Sequence, residues 1–440
     1  MVFYKKHFTK PKIISFFELI QAMLILYRLA LTAYAALIRM ASLFNQKAKL
    51  FIQGRHNQRF KLEELGQISE SRVWFHFASL GEFEQGRPVI EKWKNYYPED
   101  KLIITFFSPS GYEIRKNYAG ADAIFYLPMD SKAGSLKFIR QLKPRLAIFT
   151  KYDFWYYYFY YLHLGGIPLY MISVIFKPDQ IFFSWYGGLF RKMLGSVSWF
   201  FVQDQTSVAL LARNGIHNCS IAGDTRFDRV LTNYDQRKEL PEIKLFRDTA
   251  PVLIAGSTWP QDEELLVTLF DQPGSTGWKF IIAPHETDAA HISSLMSKLP
   301  ADAMQYSAWR ECQMAARPAV TPRILVIDNI GMLSSIYRYG DIAYIGGGFG
   351  SGIHNILEAG VFSIPVIFGP KHQKFKEALE TRALQGSFSV SNLAELSAAF
   401  SLLQNGQSRQ AAGKIMGDYV LAGKGATDKI MQHITGDSTN

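Results

Sequence analysis

Cysteine is nearly missing. Two in 440 residues, Cys219 and Cys312, cannot build a disulfide framework or a Cys-rich metal site, which fits a reducing compartment. The histidines show no metal-ligand spacing, and no Asp-x-Asp pair is present to hold a divalent ion against a diphosphate. Charge of one sign is missing from most of the chain as well. The net charge is +10, yet residues 1–61 hold 11 Lys and Arg against one acid, Glu18, and the rest is balanced. A neutral body excludes a broad nucleic-acid-binding surface.

Long apolar runs are also lacking. The most apolar stretch, "IISFFELIQAMLILYRLALTAYAALIRMASLF", has charge-free runs of only nine residues (between Glu18 and Arg28) and ten (between Arg28 and Arg39). A membrane span needs about 20, and no clean small-residue cleavage site follows. On a helix, Glu18, Gln21, Arg28, Thr32, Arg39 and Ser42 share about a third of the circumference, and the rest is apolar. With Lys and Arg on both flanks, this predicts a helix lying in the plane of an anionic membrane surface. A buried N-terminal helix and a true span are the alternatives.

What is present is a globular composition, 48% hydrophobic and 20% charged, long enough for two domains. After residue 70 the pattern alternates strand-like runs ("RVWFHFA", "KLIITFF", "AIFYLP", "RLAIFT", "PLYMISV", "WFFVQ", "CSIAG") with helical stretches. It breaks at "LTNYDQRKELPEIKLFRD" and resumes with "PVLIAGS", "WKFIIAP", "RILVID", "IAYIGGG", "IPVIFGP" and "GSFSV". Alternating β and α elements predict parallel sheets wrapped by helices. Two series predict two doubly wound α/β domains facing a cleft: an N-terminal helix over 1–50, a first domain over 51–232, a linker over 233–250 and a second domain over 251–440. The run "YDFWYYYFYYLH" (152–163) reads as a helix packed on the sheet, with a sugar-contacting wall as the alternative.

Ligands of such sheets bind beyond the carboxyl ends of strands. There, "FHFASLGEFEQGRP" places Glu82 at a helix start, either capping free N–H groups or acting in catalysis. Lys151 follows "LAIFT", and Arg226 lies in "AGDTRFDRV". In the second series "IAYIGGGFGSGIHNILEAG" has five glycines in residues 346–352, where backbone N–H groups can approach an anion. Asn355 reads as an N-cap, and Glu358 as a partner for ribose hydroxyls. "FIIAPHE" adds Pro284 and His285, "AGSTWPQDEE" adds Ser257 and Thr258, and "DNIGML" adds Gly331. One carboxylate, two cations and a glycine loop suit transfer of a group from a phosphate-bearing donor to a hydroxyl.

The stretches "HFASLGE…RPVIEKWKNYYPEDKLIITFFSPSG", "AGDTRFDRV" and "GIHNILEAGVFSIPVIFGPKHQKFKEA" together resemble the Kdo (3-deoxy-D-manno-octulosonic acid) transferases of lipopolysaccharide assembly. The resemblance implies two Rossmann-like domains in the GT-B fold. It implies transfer of Kdo from CMP-Kdo to a lipid A precursor at the cytoplasmic face of the inner membrane, with no metal or cofactor. By position, Glu82 matches the catalytic base. Pro284 and His285 match one CMP-contacting loop, and Ile330, Gly331 and Met332 match another. Asn355, Ile356, Leu357 and Glu358 match the element that holds the nucleotide. Two departures stand out. Lys151 occupies a place the family gives to Glu, and Arg226 one it gives to Lys, both expected to stabilise the transition state. Met332 stands where an acid is usual, so that loop is expected to use its backbone. A GT-B enzyme using a UDP-sugar on a lipid-linked acceptor, and a membrane-associated sugar-nucleotide sensor, remain as other readings.

Overall fold

The computed structural model describes residues 16–58, 61–64, 70–315 and 321–436. The basic residues Lys5, Lys6, Lys10, Lys12 and Arg59 and the end of the polar tail lie outside them. Contacts divide the chain into two units, residues 1–225 with 425–440, and residues 226–424.

The first unit is a seven-stranded parallel sheet: β1 (Arg72–Phe77), β2 (Lys101–Phe106), β3 (Ala123–Tyr126), β4 (Leu146–Thr150), β5 (Leu169–Val174), β6 (Trp199–Val202) and β7 (Cys219–Ile221). They lie in the order β3-β2-β1-β4-β5-β6-β7. Every residue of β1 and β4 is buried, as helices on both faces require, which is why these runs read as continuously apolar. The second unit repeats the plan with β8 (Val252–Thr258), β9 (Lys279–Pro284), β10 (Ala303–Gln305), β11 (Ile324–Val326), β12 (Ile342–Ile345), β13 (Val366–Phe368) and β14 (Ser387–Ser389). Their order is β10-β11-β9-β8-β12-β13-β14. The order reverses between β1 and β4 in the first sheet and between β8 and β12 in the second, where β11 is also inserted between β9 and β10, and such switch points are where ligands are accommodated.

The unit boundaries differ from the composition boundaries. Residues 233–250 contain the end of the helix Thr225–Asp235 and the helix Pro241–Arg247, whose Ile243 and Phe246 are fully buried in the second unit's core. Only their solvent-facing residues gave the stretch its linker-like polarity. The helix Ala426–Thr435 returns to the first unit. Ile430 and Met431 fill a core with Val73, Phe75 and Ile148, and the His433 ring lies tilted against Trp199, 4.2 Å between ring centres.

The N-terminal helix Phe16–Ala41 has two apolar faces. Ile20, Met23, Leu24 and Tyr27 pack on the first unit's core. Ile25, Leu26, Leu29, Leu37 and Met40 on the other side are each more than half exposed. One face thus packs as a core helix does, and the opposite apolar face is left exposed. Docking is fixed by Asp130, a buried carboxylate that accepts from Tyr27 Oη (2.6 Å), Ser135 Oγ (2.8 Å) and the backbone N–H of Tyr157 (3.0 Å) and Tyr158 (3.2 Å). It thereby caps the aromatic helix Tyr156–Leu164, which packs in the core.

Removing the Tyr27 hydroxyl leaves Asp130 one donor short in a buried place. Tyr27→Phe is expected to lower unfolding stability by about 1–3 kcal/mol, read from the denaturant midpoint of the first unit. Leu26→Ser on the outward face is expected to shift it by less than about 0.5 kcal/mol.

Candidate active site

On the first sheet, β1 runs into Ala78 and Ser79, and the helix Leu80–Tyr96 begins at once. Glu82 is its third residue. Ser79 makes no side-chain cap to the helix backbone; its hydroxyl donates to Glu82 Oε2 instead. Glu82 is half-buried, and its recorded partner is a hydroxyl rather than a helix N–H.

Across the switch point, β4 ends at Thr150 and the chain turns through Lys151 at φ +56°, a left-handed conformation unusual for a side chain with a Cβ. The Lys151 N–H bonds to Ile172 O at 3.0 Å. Two residues on, Asp153 Oδ2 lies 2.6 Å from Nε2 of His76, which is fully buried in β1. His76 Nδ1 is 2.7 Å from Thr105 Oγ1, which accepts from Trp74 Nε1 at 2.8 Å. An indole N–H can only donate, so the Thr105 hydroxyl proton is available to Nδ1. Its other acceptor, Phe75 O, is 3.4 Å away. The network thus assigns His76 Nε2–H as donor to Asp153. This bond ties the loop after β4 to β1, just before Glu82. Neither His76 nor Asp153 was singled out from the sequence; a histidine inside an all-apolar strand was the available signal.

Arg226 opens the second unit. Its guanidinium is held by the buried Glu377, Nη1 to Oε1 at 2.7 Å and Nη2 to Oε2 at 3.3 Å. The expected cation therefore comes as an ion pair.

On the second sheet, β8 ends in a bulge with Ser257 at φ +54°, and β12 ends in the glycine loop. A Cβ on Gly346 would lie 2.3 Å from Ser257 O, and one on Gly348 2.5 Å from Gly369 Cα. These glycines let the loop press on its neighbouring strand ends. The Gly347 N–H donates to Asp262 Oδ2 at 2.9 Å, which also accepts from the Trp259 N–H at 3.0 Å, while Tyr344 Oη donates to Oδ1 at 2.8 Å. Burial pushes the Asp262 carboxyl up, and the three donors oppose it.

Three rings gather on this rim. His285 stacks on Trp259 at 4.7 Å and on His354 at 4.6 Å, and Trp259 Nε1 donates to His354 Nε2 at 3.1 Å. Nε2 is thus an acceptor, so the neutral imidazole carries its proton on Nδ1. Burial, helped by His285, lowers the His354 pKa to about 4. Trp259 and His354 are site residues the sequence reading passed over, although both adjoin motifs it used.

Pro284 is buried at the end of β9, and exposed His285 bonds through its N–H to Thr258 O at 2.9 Å. Asn355 Oδ1 accepts from Leu357 N at 3.1 Å, and its amide donates to Glu358 Oε1 at 3.3 Å. Ile356 and Leu357 are fully buried in the core, and their carbonyls accept from the Gly360 and Val361 N–H groups at 3.0 Å each. Ile330 is 88% exposed, Gly331 turns at φ +93°, and Met332 packs on the second core. The helix Leu333–Ile336 that follows lies against Gly256 of β8, keeping this loop at the same rim.

Residues 54–229 match the family model described as 3-deoxy-D-manno-octulosonic-acid transferase (Kdo transferase). Curated proteins named 3-deoxy-D-manno-octulosonic acid transferase match most of the chain. That of Chlamydia muridarum is 25% identical over 77% of this chain and 80% of its own. That of Rickettsia felis is 24% identical over 71% and 67%. The chain is a relative of the Kdo transferases. Like those transferases, it is a glycosyltransferase. Its fold is shared with solved structures at low identity. MurG of Acinetobacter baumannii superposes with a TM-score of 0.53 at 13% identity, covering 83% of this chain and all of the other. A UDP-N-acetylglucosamine 2-epimerase from Listeria monocytogenes gives 0.55 at 14%, covering 85% and 99%.

The ring cluster has a pH signature in this Kdo transferase relative. The folded His354 pKa of about 4 lies below the ordinary 6.5, so the unfolded chain takes up a proton that the folded one refuses. Stability of the second unit is expected to fall as pH drops from about 6.5 toward 4. His354→Gln, which keeps an acceptor for Trp259, should flatten that slope in denaturant midpoints measured against pH.

Proposed function

We propose that the chain transfers Kdo from CMP-Kdo to a hydroxyl of a lipid A precursor, inverting the anomeric carbon and using no metal or cofactor. Glu82 carries the reading. It lies in the family-matched segment, at the switch point of its sheet, with its carboxylate bonded to a hydroxyl. As the acceptor oxygen bonds to the anomeric carbon, Glu82 takes the hydroxyl proton. The bond from that carbon to the CMP phosphate oxygen breaks on the opposite face, and CMP leaves with the electron pair.

The second unit's rim suits the nucleotide. The ring cluster offers flat surfaces, and the neutral His354 offers Nδ1–H as a donor near the glycine loop. Pro284 and His285 line one side, and the exposed backbone of Ile330, Gly331 and Met332 another. Asn355 and Glu358 present polar groups to a ribose, beside the backbone of Ile356 and Leu357. Arg226 and Lys151 offset negative charge on donor and leaving group, Arg226 with part of its charge already answered by Glu377. The outward apolar face of the N-terminal helix rests on the anionic cytoplasmic face of the inner membrane, where a lipid acceptor is at hand.

Glu82→Gln is expected to reduce product formation, read by mass, by about 10²–10⁴-fold while leaving CMP binding by calorimetry unchanged. Near-normal transfer by this variant would remove the base role, and tighter binding of UDP than CMP would assign another donor. Combining Leu26→Ser, Leu29→Ser and Leu37→Ser should weaken co-sedimentation with anionic vesicles by about tenfold or more. Unchanged sedimentation would place the membrane contact elsewhere.

A further inference from the structure

A cavity of about 640 Å³ lies within the first unit, between the N-terminal helix, the helix Gln46–Asn57 and the helix Lys132–Leu142. That size falls within the range of about 300–1,000 Å³ usual for small-molecule sites. Its interior is apolar, with Phe51, Leu62 and Phe138 buried and Ile52, Pro128 and Met129 completing the wall. Its rim carries charge: Arg39 and Lys137 are exposed there beside His56, with one acid, Glu63, which pairs with Lys137 at 3.1 Å.

One cation reaches the wall itself. Arg55 donates from Nε to Leu127 O (2.9 Å), from Nη1 to Phe51 O (3.1 Å) and from Nη2 to Phe107 O (2.7 Å), with its guanidinium 3.5 Å from the centre of the Phe51 ring. None of these partners is a carboxylate, so among the described residues no ion pair neutralises its charge. A guanidinium has five N–H groups, and two are left over. Burial draws its pKa down to about 10, which still leaves it charged at neutral pH. A low-dielectric site holding an unanswered cation favours an anion.

Position narrows the anion's nature. Ala35 and Arg39 bring the polar flank of the N-terminal helix to the mouth, beside the outward face of Leu29, Leu37 and Met40. Leu43 and Phe44, just past that helix, are 76% and 93% exposed. An apolar chamber with a cationic mouth, beside a helix face that water does not favour, fits an amphiphile and not a free ion. We propose that this cavity binds an anionic phospholipid, with an acyl chain among Phe51, Leu62 and Phe138 and the phosphate at Arg39, Lys137 and Arg55. The assignment does not rest on the transfer reading, because binding is measured without turnover.

The test is calorimetry on the full chain with dioctanoyl phosphatidic acid, dioctanoyl phosphatidylcholine and inorganic phosphate. The wild type should bind one phosphatidic acid per chain, about tenfold or more tighter than either other probe. Ala35→Trp, which fills the chamber, and Arg39→Ser with Lys137→Ser, which strips the rim, should each weaken it by about tenfold. If Ala35→Trp fails to melt like the wild type, the exposed pair of rim changes carries the test. Phosphate binding as tightly as the lipid would reveal a simple anion site. Phosphatidylcholine binding as tightly would reveal an uncharged chamber. Unchanged affinity in the folded variants would place the lipid elsewhere. Each of these three results overturns the proposal.

Discussion

Both sheets are organised by the place where neighbouring parallel strands send the chain to opposite faces. The chain leaves β1 and β4, and likewise β8 and β12, in diverging directions, so the backbone between their carboxyl ends is left uncovered. The turns at these ends are tight, which calls for unusual backbone. Lys151 and Ser257 adopt left-handed conformations, and Gly346 and Gly348 press backbone on backbone where a Cβ has no room. Such strain persists only when the surroundings over-determine it. Here the Asp153–His76 bond does so on one sheet, and the Asp262 carboxylate, bonded to the Gly347 and Trp259 N–H groups, does so on the other.

That organisation explains what could be read in the sequence. Strands buried on both faces appear as unbroken apolar runs, so the two series were visible. Glu82 and the glycine loop were visible because each sits directly after such a run. Partners distant in sequence were not. His76 meets Asp153 77 residues on, and Trp259 meets His354 95 residues on; no local pattern announces either pair. Unit boundaries were hidden for a related reason. Composition reports which residues face water, whereas membership follows the buried ones: Ile243 and Phe246 in one core, Ile430 and Met431 in the other.

The N-terminal helix shows the same limit differently. Its sequence offers one polar stripe and a wide apolar surface, and periodicity alone cannot divide that surface into a packed and an exposed part. Tyr27 makes the division. Its hydroxyl on Asp130 sets the helix's rotation, turning Met23 and Leu24 inward and leaving Leu26, Leu29 and Leu37 outward. Asp130 also caps the aromatic helix, so a helix with an exposed apolar face and a core element share one buried carboxylate.

The Arg226–Glu377 pair bears on how a cation at that position works. Glu377 is only 6% exposed at its side chain, and burying it without Arg226 would strand a charge. Losing Arg226 would therefore destabilise the second unit whatever its part in transfer, and a loss of activity alone would not separate the two roles. A paired cation also differs from a free one in what it offers a developing phosphate charge. Its field is partly cancelled by Glu377, so in the transfer proposed above the pair would contribute to rate only if it held the leaving group more tightly in the transition state than in the ground state. Bidentate geometry fixes the plane of the guanidinium, because Nη1 and Nη2 each hold one oxygen of Glu377. Arginine suits this better than lysine, whose compact ammonium cannot divide its bonds in a plane between two anions.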